Sequence, residues 1–315
     1  MERRKFLNHG SQLGALLLIA PHLISCKGKS NEEIKQVIKE STAAVFAPNE
    51  AYKITHVAGN VFTYEERGGT IGFYVNEETI IVIDTQFPDQ SQNLIDAMAE
   101  HSSSKVDLLV NTHHHGDHTS GNIAYKDIVG MHIAHANSLK NQKRVAEERS
   151  LENQLYPTTT FEIDQSYAKG DVKMKFNYFG PAHTDGDIVS YFENENVAHM
   201  GDLVFNRRFP FIDKSSGANI ANWVTVLDKT VNTYNADTKY IFGHSGNDYT
   251  VRGNAEDINA FKNYLEKLLE FGMASIKAGK DLETVSKETK VIPGAEEWKG
   301  KGIERSLSAV YEELS

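Results

Sequence analysis

Short apolar runs rich in β-branched and aromatic residues follow one another from about residue 51, separated by glycine, asparagine and charged residues. This punctuation is typical of β-strands joined by tight turns. The pattern predicts an antiparallel meander with strands at 52–56, 61–65, 70–75 and 79–84. A helix is then predicted over 89–101, where apolar residues recur at helical spacing, and a compact apolar strand over 106–110.

The same order of strands and helices returns in the second half of the chain. Strands are predicted at 172–178, 188–192, 196–200 and 238–242. Helices are predicted at 138–152, 220–234, 257–277, 282–289 and 303–314. Strands followed by helices, repeated twice, indicate two sheets packed together with helices on the outside.

Composition and charge narrow the class of protein. The chain has 315 residues, of which 40% are hydrophobic and 24% charged, and this excludes collagen-like, disordered and polytopic membrane proteins. Its formal net charge is −10, from 33 basic and 43 acidic residues. Because an acidic surface repels phosphate backbones, we expect no nucleic-acid partner.

The first residues have the composition of an export signal. Arg3 and Arg4 precede a mostly apolar stretch over 13–20, which is too short to cross about 30 Å of hydrocarbon. The twin arginine resembles a Tat signal, and Leu-Ile-Ser before Cys26 resembles a bacterial lipobox.

These resemblances imply a signal peptide over residues 1–26, with a lipidated Cys26 as the first residue of the mature chain. The polar residues 27–50 would form a tether. We therefore expect an exported protein whose lipid anchor holds it to a membrane of the cell envelope, facing the periplasm or the exterior.

Ligand-type side chains crowd the loop directly after the strand at 106–110. Residues 112–121 have the sequence Thr-His-His-His-Gly-Asp-His-Thr-Ser-Gly, with four imidazoles and one carboxylate within six positions. Neutral imidazole nitrogen and carboxylate oxygen suit Zn²⁺, and they also suit iron and manganese. The loop therefore predicts a metal site.

The spacing within this loop separates its ligands into two groups. His113 and His115 alternate along the chain and are expected to point the same way, with His114 turned elsewhere. Asp117 and His118, one step further on, are placed to face a second ion. The other histidines without ligand spacing are expected on the surface or in the core: His56, His101, His132, His135 and His199.

The loop resembles the signature of the metallo-β-lactamase superfamily, His-x-His-x-Asp-His. Four further segments resemble landmarks of that family: 81–85 with Asp84, 180–187 with His183, 200–205 with Asp202, and 242–245 with His244, where Ser245 replaces a common glycine. The resemblance covers about residues 51–270. It implies an α/β (α+β) fold, a four-layered αββα sandwich, followed by a C-terminal helical extension at 271–315.

The resemblance also implies the roles of the site residues. The first metal would be held by His113, His115 and His183. The second would be held by Asp117, His118 and His244. Asp202 would bridge the two ions, and Asp84 would orient a ligand or the loop backbone from behind.

Hydrolysis with two zinc ions is the chemistry that the resemblance implies. Metals about 3.5–4 Å apart make a bridging hydroxide available to attack a carbonyl, while Asp117 assists the leaving group. Two divalent ions carry +4, and Asp117, Asp202 and hydroxide return −3, so the site favours an anionic small-molecule substrate. Arg207 or Arg208 would bind a substrate carboxylate.

Several substrate classes remain open. Because the body of the chain has no cysteine, the lactamase subclass that uses cysteine as a metal ligand is excluded. We expect a small cyclic amide or ester, with a β-lactam first and a lactone second. The alternatives are a thioesterase or phosphodiesterase of the same superfamily, or a non-hydrolytic iron enzyme such as a sulfur dioxygenase.

Overall fold

The computed structural model describes residues 44–315, and Cys26, the predicted signal and most of the predicted tether lie outside this range. Within it, the chain forms two large sheets, one small sheet and seven α-helices. None of these helices has both the length and the apolar character required to cross a membrane.

Seven strands form the first sheet, in the order in which they occur along the chain. They are β1 (Lys53–Ala58), β2 (Val61–Glu65), β3 (Ile71–Val75), β4 (Ile80–Ile83), β5 (Val106–Asn111), β6 (Val129–His135) and β7 (Thr159–Phe161). The strands from β1 to β4 pair antiparallel, as predicted for a meander. The strands from β4 to β7 pair parallel and therefore need crossover connections between them.

The remaining strands form the second sheet and a small ribbon. They are β8 (Asp164–Lys169), β9 (Val172–Asn177), β10 (Val189–Phe192), β11 (Val197–His199), β12 (Phe205–Asn206), β13 (Lys239–Ile241), β14 (His244–Ser245) and β15 (Arg252–Gly253). The second sheet has the order β15-β13-β11-β10-β9-β8, and β12 pairs with β14 separately. Within the second sheet, β11 and β13 run parallel.

The helices connect and cover these sheets. They are α1 (Pro88–Ala99), α2 (Gly116–Thr119), α3 (Ala136–Glu148), α4 (Ile220–Thr233), α5 (Ala255–Lys277), α6 (Leu282–Glu288) and α7 (Ile303–Leu314). Helix α5 begins with a capping box, in which the Asn254 side chain accepts from the Glu256 N–H and Asp257 accepts from the Asn254 N–H.

Two hydrophobic clusters hold the layers together. One lies between the sheets and joins Ile81 and Leu108 of the first sheet to Phe192 of the second. The other packs α4, α5 and α7 against the outer face of the second sheet, with Trp223 and Phe261 fully buried within it. Helices outside two facing sheets make the αββα sandwich that the sequence predicts, and the fold prediction is confirmed.

The structure adds strands that the sequence pattern does not predict. Strand β6 lies between β5 and β7, but its burial does not alternate, because Gly130 and Met131 are exposed and the last four residues are all buried. The helix after it begins at Ala136, earlier than predicted. The His135 side chain accepts from the Asn137 N–H and so caps that helix.

The folded domain begins earlier than residue 51. The ring of Phe46, in the predicted tether, packs edge-on against Phe62 and Phe73 of the first sheet, with centroids 5.2 and 5.5 Å apart. It also lies 4.3 Å from the His101 ring. The Phe46 side chain therefore packs against the first sheet, although residues 47–51 after it are exposed.

Four strand ends meet at one edge of the sandwich. In the first sheet, the parallel strands β4 and β5 end just before Asp84 and the loop at 112–118. In the second sheet, the parallel strands β11 and β13 end just before Asp202 and His244. The carboxyl ends of parallel strands are where α/β proteins place ligand sites.

Backbone hydrogen bonds tie these loops across the two sheets. The Thr70 N–H donates to the Gly243 carbonyl at 2.9 Å, and the Ile188 N–H donates to the Thr112 carbonyl at 2.9 Å. Each bond joins a loop of one sheet to a loop of the other. The loops that carry the predicted ligands are therefore fixed relative to one another before any ligand is bound.

Candidate metal centre

Three histidine side chains converge at the carboxyl end of β5, and we name them cluster A: His113, His115 and His183. The Nδ1 atom of His115 lies 3.1 Å from Nε2 of His113 and 2.9 Å from Nε2 of His183. The ring planes lie between 74° and 85° to one another, so the rings meet by their edges and do not stack. Three ring nitrogens are thus directed at one small volume.

Asp117, His118 and His244 form a second group, which we name cluster B. Oδ2 of Asp117 lies 3.2 Å from Nε2 of His244 and 3.9 Å from Nε2 of His118. Asp117 and His118 are presented by the short helix α2, and His244 by strand β14. The structure therefore brings the distant His244 to the loop that follows β5.

The Asp202 carboxylate lies between the two clusters. Its Oδ2 atom is 3.4 Å from Nε2 of His183 in cluster A and 3.5 Å from Nε2 of His244 in cluster B. Its Oδ1 atom is 3.0 Å from Nε2 of His118. One carboxylate is thus within reach of donors from both clusters, and all seven predicted ligand side chains come together.

Asp84 braces the loop from behind. Its Oδ2 atom accepts from His118 Nδ1 at 2.7 Å and from the Thr112 hydroxyl at 2.7 Å, and Oδ1 accepts from the Thr112 N–H at 2.8 Å. The Thr112 hydroxyl lies 3.0 Å from His113 Nδ1. Asp84 has a φ of 63°, a left-handed conformation that aspartate tolerates better than most residues. One buried carboxylate therefore orients a ring in each cluster.

Glycine at position 243 is required by the close approach of Asp202. A Cβ atom there would lie 2.0 Å from Oδ1 of Asp202 and 2.8 Å from the backbone of Gly201. The Gly243 N–H donates to the Gly201 carbonyl at 2.7 Å. The absence of a side chain lets the loop after β13 pack directly against the residue that links the clusters.

Two histidine pKa values are lowered in cluster A, and two are raised in cluster B. Burial and neighbouring imidazoles lower the pKa of His183 to about 3, and burial lowers the pKa of His113 well below its usual value. In cluster B, burial alone would lower the pKa of His118, but three neighbouring carboxylates outweigh it and raise that pKa well above its usual value. The pKa of His244 is raised in the same way, chiefly by Asp202.

Two buried atoms at the junction have no hydrogen-bond partner within residues 44–315. They are Nε2 of His118 and Oδ1 of Asp202, which lie 3.0 Å apart. In a neutral His118 ring that donates from Nδ1 to Asp84, both of these atoms present lone pairs to each other. Buried polar atoms without partners are costly, and a cation would engage the lone pairs of both. Imidazole nitrogens and carboxylate oxygens are ligands that bind Zn²⁺, iron and manganese. The residues present therefore fit a metal centre.

Asp213 supports the centre, although sequence reasoning does not single it out. Its Oδ2 atom lies 3.0 Å from Nε2 of His115, the ring nitrogen that does not face cluster A. A carboxylate on the outer nitrogen fixes the tautomer and orientation of a ligand histidine. His114 turns away from both clusters, with its Nε2 atom 3.1 Å from the Ser216 hydroxyl. No local spacing signals Asp213, because it lies 98 residues from His115.

The other histidines lie outside both clusters. His132, His135 and His199 are buried, His101 is partly buried and His56 is exposed. Nε2 of His199 lies 3.1 Å from the Thr70 carbonyl, and Nε2 of His132 lies 2.8 Å from the Asn111 side chain. These contacts give the buried rings hydrogen-bond partners within the core.

A cleft of about 550 Å³ opens over the two clusters. We name cluster A, cluster B and Asp202 the floor of this cleft. Its aromatic walls include Phe87, Phe205 and Phe209. Four exposed side chains also line the cleft, and we name them the rim: Arg149, Arg208, Phe211 and Arg305.

The structure does not place Arg207 in this cleft. Its Nη1 atom donates to Oδ1 of Asp257 at 2.6 Å, and its guanidinium lies over the rings of Tyr249 and Trp298 at 5.3 and 5.5 Å. These contacts direct the side chain towards the start of α5. Of the two neighbouring arginines proposed from the sequence, it is Arg208 that lines the cleft.

Comparison with known proteins agrees with this geometry. The family model of the metallo-beta-lactamase superfamily matches residues 64–262. The chain is 23% identical over 229 residues to the metallo-beta-lactamase type 2 of Bacteroides fragilis, an alignment that covers 69% of this chain and 86% of that protein.

Solved structures show the same fold. The metallo-beta-lactamase from Pontibacter korlensis gives a TM-score of 0.54 at 18% identity and covers 68% of this chain and 99% of that one. The sec-alkylsulfatase Pisa1 from Pseudomonas sp. gives a TM-score of 0.66 at 13% identity and covers 83% of this chain. The present chain spans half the length of that alkylsulfatase.

The family match includes every side chain of the floor. It contains the loop at 112–118 together with His183, Asp202 and His244, and the structure brings all of these to one place. The C-terminal helices α6 and α7 lie beyond it. The chain belongs to the metallo-beta-lactamase superfamily, whose members are mostly hydrolases.

Proposed function

We propose that this protein is a zinc-dependent hydrolase that opens a small cyclic amide or ester, with a β-lactam as the first candidate and a lactone as the second. The observation that carries the proposal is the position of Asp202, within 3.5 Å of imidazole nitrogens from both clusters. Divalent ions held there would polarise a substrate carbonyl and make water acidic enough to react near neutral pH.

Each side chain of the floor has a role in this proposal. The ligands of one ion are His113, His115 and His183. The ligands of the other are Asp117, His118 and His244. Asp202 would contact both ions, while Asp84 and Asp213 hold ligand rings in position through hydrogen bonds to their outer nitrogens.

Asp117 is the proposed catalytic residue. Its side chain is 34% exposed and lines the cleft, whereas that of Asp202 is 4% exposed. Although burial raises the pKa of Asp117, His118 and His244 outweigh it and hold that pKa well below the usual value. An ionised carboxylate in this place would accept a hydrogen bond from the attacking water, hold it in position, and so assist loss of the leaving nitrogen or oxygen.

The cleft above the floor favours an anionic substrate with an apolar body. Its volume of about 550 Å³ suits a small molecule, and four phenylalanine side chains are among the residues that line it. The three arginines that line it would attract and orient a negative group. β-Lactams stand first because the curated relatives of the chain include an enzyme named as a metallo-beta-lactamase.

Other reactions of the same floor are alternatives to be tested beside it. Thioester, phosphodiester and sulfate ester substrates use the same attack by water, and the alkylsulfatase neighbour brings sulfate esters into consideration. A non-hydrolytic iron enzyme, such as a sulfur dioxygenase, would hold iron in the same donors.

A substrate screen with metal analysis tests the proposal. The metal content of the aerobically purified protein is measured before and after zinc loading. The zinc-loaded protein is then offered a chromogenic cephalosporin, a lactone, a thioester, a phosphodiester and an alkyl sulfate. We expect two zinc ions per chain and turnover of the cephalosporin or the lactone. Two bound zinc ions without turnover of any ester or amide would contradict a hydrolase, and tightly held iron after aerobic purification would favour the redox alternative.

We also propose that the protein is exported and anchored to the cell envelope through a lipid on Cys26. The support is the order of twin arginine, short apolar stretch and Leu-Ile-Ser-Cys in the sequence. Metabolic labelling with a palmitate analogue should mark the wild-type protein and leave Cys26→Ser unlabelled. Equal labelling of the two proteins would contradict this proposal.

A further inference from the structure

The C-terminal helix α7 reaches the cleft although it lies beyond the residues that match the family. Its inner face is buried, with Leu307 and Val310 inside the outer hydrophobic cluster. Val310 packs closely on α5, where a Cβ added to Gly272 would lie 2.9 Å from it. The helix is therefore an integral part of the folded domain.

A charged contact fixes the far end of α7 to the neighbourhood of the metal centre. The Glu313 carboxylate accepts from Lys214 Nζ at 2.9 Å and from the backbone N–H groups of Ile220 and Ala221 at 2.8 and 2.9 Å. It thus caps the first turn of α4. Lys214 follows Asp213 directly, so α7 is tied to the segment that positions His115.

Arg305 lies in the first turn of α7 and lines the cleft. Gly302 precedes the helix with a φ of 115°, and a Cβ there would lie 2.9 Å from Nη2 of Arg305 and 3.6 Å from Phe209. The glycine therefore leaves room for the guanidinium beside an aromatic wall of the cleft. The same guanidinium lies 5.8 Å from the centre of the Phe211 ring.

The arginines of residues 44–315 divide by position. Those that form a salt bridge with a carboxylate do not line the cleft: Arg144, Arg207 and Arg252. Those that line the cleft form no salt bridge within this range: Arg149, Arg208 and Arg305. The remaining one, Arg67, lies over the ring of Phe87, which is itself a cleft residue.

This division is unexpected in a chain with ten more acidic than basic residues. Guanidinium groups bind carboxylates readily, and acidic side chains are abundant on this protein. Arginines kept free of carboxylates around one cleft are available to an anion that enters it. Aromatic side chains beside them add an apolar surface for the rest of the ligand.

We infer that Arg305 is a specificity-determining residue that binds an oxyanion of the substrate, a carboxylate or a sulfo group attached to an apolar body. The inference rests on the proposed function, because the bound anion is a substrate only if the protein is a hydrolase. The C-terminal extension would then complete the substrate site, with Arg305 acting from α7 and Arg208 from the loop after β12.

Equilibrium binding tests the inference without any need for turnover. The zinc-loaded full chain is titrated calorimetrically with phenylacetate, with phenylmethanesulfonate and with the neutral phenylacetamide. We expect the wild type to bind at least one anion about tenfold more tightly than the amide. Arg305→Gln should lose most of this preference with unchanged zinc content, and Arg305→Lys should retain part of it.

Lys277→Gln is the matched control, because it removes one exposed positive charge from α5 without touching the cleft. It should leave the preference for anions unchanged. An equal loss in Lys277→Gln and Arg305→Gln, an unaltered preference in Arg305→Gln, or no preference in the wild type would each overturn the inference.

The binding result is separable from the proposed hydrolysis. If the substrate screen fails while Arg305→Gln loses the preference for anions, the hydrolase proposal fails and the anion site stands. If the wild type hydrolyses a substrate and Arg305→Gln binds anions as the wild type does, the anion site fails and the hydrolase proposal stands.

Discussion

The floor and the rim of the cleft are built in opposite ways. On the floor, His113 and His118 are completely buried, and outer hydrogen bonds fix their rings. On the rim, 41% of Phe211 is exposed, and the arginines have no carboxylate partner within the described residues. A floor held this tightly fixes the reacting geometry, whereas an exposed rim is free to adapt to a ligand.

One residue of the rim also lies in a different part of the chain from the floor. Every residue of the floor lies within the segment that matches the superfamily, as do Arg149, Arg208 and Phe211 of the rim, whereas Arg305 lies outside it. The C-terminal extension therefore adds one side chain to a rim whose other residues belong to the matched segment. Changes to the floor should affect metal and rate together, and changes to the rim should affect substrate affinity alone.

The largest effect is expected from Asp202→Ala, which removes the carboxylate that lies between the clusters. We expect metal content to fall below two ions per chain and kcat to drop by about a thousandfold or more, because both of the proposed ions would lose a ligand. Metal analysis and turnover of the best substrate from the screen measure this. Asp127→Ala, at an exposed position away from the cleft, is the control, and full retention of metal and rate in Asp202→Ala would refute the bridging role.

A smaller effect is expected from Asp84→Asn, which keeps the shape of the side chain and removes its charge. His118 and Thr112 lose a charged acceptor, so zinc affinity should fall by about 10- to 100-fold. Competition with a chromophoric chelator measures the affinity. Unchanged affinity would show that Asp84 only fills space behind the loop.

The two clusters should also respond differently to pH. A metal ion binds the neutral ring, and the raised pKa values of His118 and His244 mean that protons compete with metal in cluster B. The lowered pKa values of His113 and His183 leave these rings neutral in cluster A. Zinc titrations between pH 8 and pH 6 should show affinity falling by up to about tenfold per pH unit for each protonated ring, chiefly at cluster B. Parallel weakening of both sites would contradict this difference.

The smallest effects are expected from the adjacent residues Arg207 and Arg208, of which only Arg208 lines the cleft. Arg208→Ala should raise KM for an anionic substrate by about three- to tenfold with little change in kcat, because it removes a rim charge. Arg207→Ala should leave KM unchanged and destabilise the protein by about 1–3 kcal/mol, because it breaks the partly buried contacts with Asp257 and Trp298. Thermal unfolding and steady-state kinetics separate the two, and the reverse pattern would return Arg207 to the substrate site.

The sequence was sufficient to predict the parts of the fold and of the site that depend on neighbouring residues in the chain. Short runs rich in β-branched and aromatic residues predicted the antiparallel strands from β1 to β4, and the dense loop at 112–118 predicted the ligands on it. The ligands His183, Asp202 and His244 were predicted because family motifs mark them, and the structure brings them to this loop.

Long-range pairing explains most of what the sequence did not predict. Strand β6 is defined by its neighbours β5 and β7 and not by its own alternation. Asp213 contacts His115 and Arg305 lines the cleft, although both are far from the histidine loop in sequence and neither has a spacing that marks it. Arg207 and Arg208 are adjacent in sequence, and only the salt bridge to Asp257 reveals which of them turns away.

Anomalous diffraction at the zinc edge from crystals of the zinc-loaded protein tests the central claim most directly. We predict two peaks per chain, one at cluster A and one at cluster B, about 3.5–4 Å apart, with the Asp202 carboxylate in contact with both. A single peak, or two peaks of which either lies out of reach of Asp202, would contradict the account.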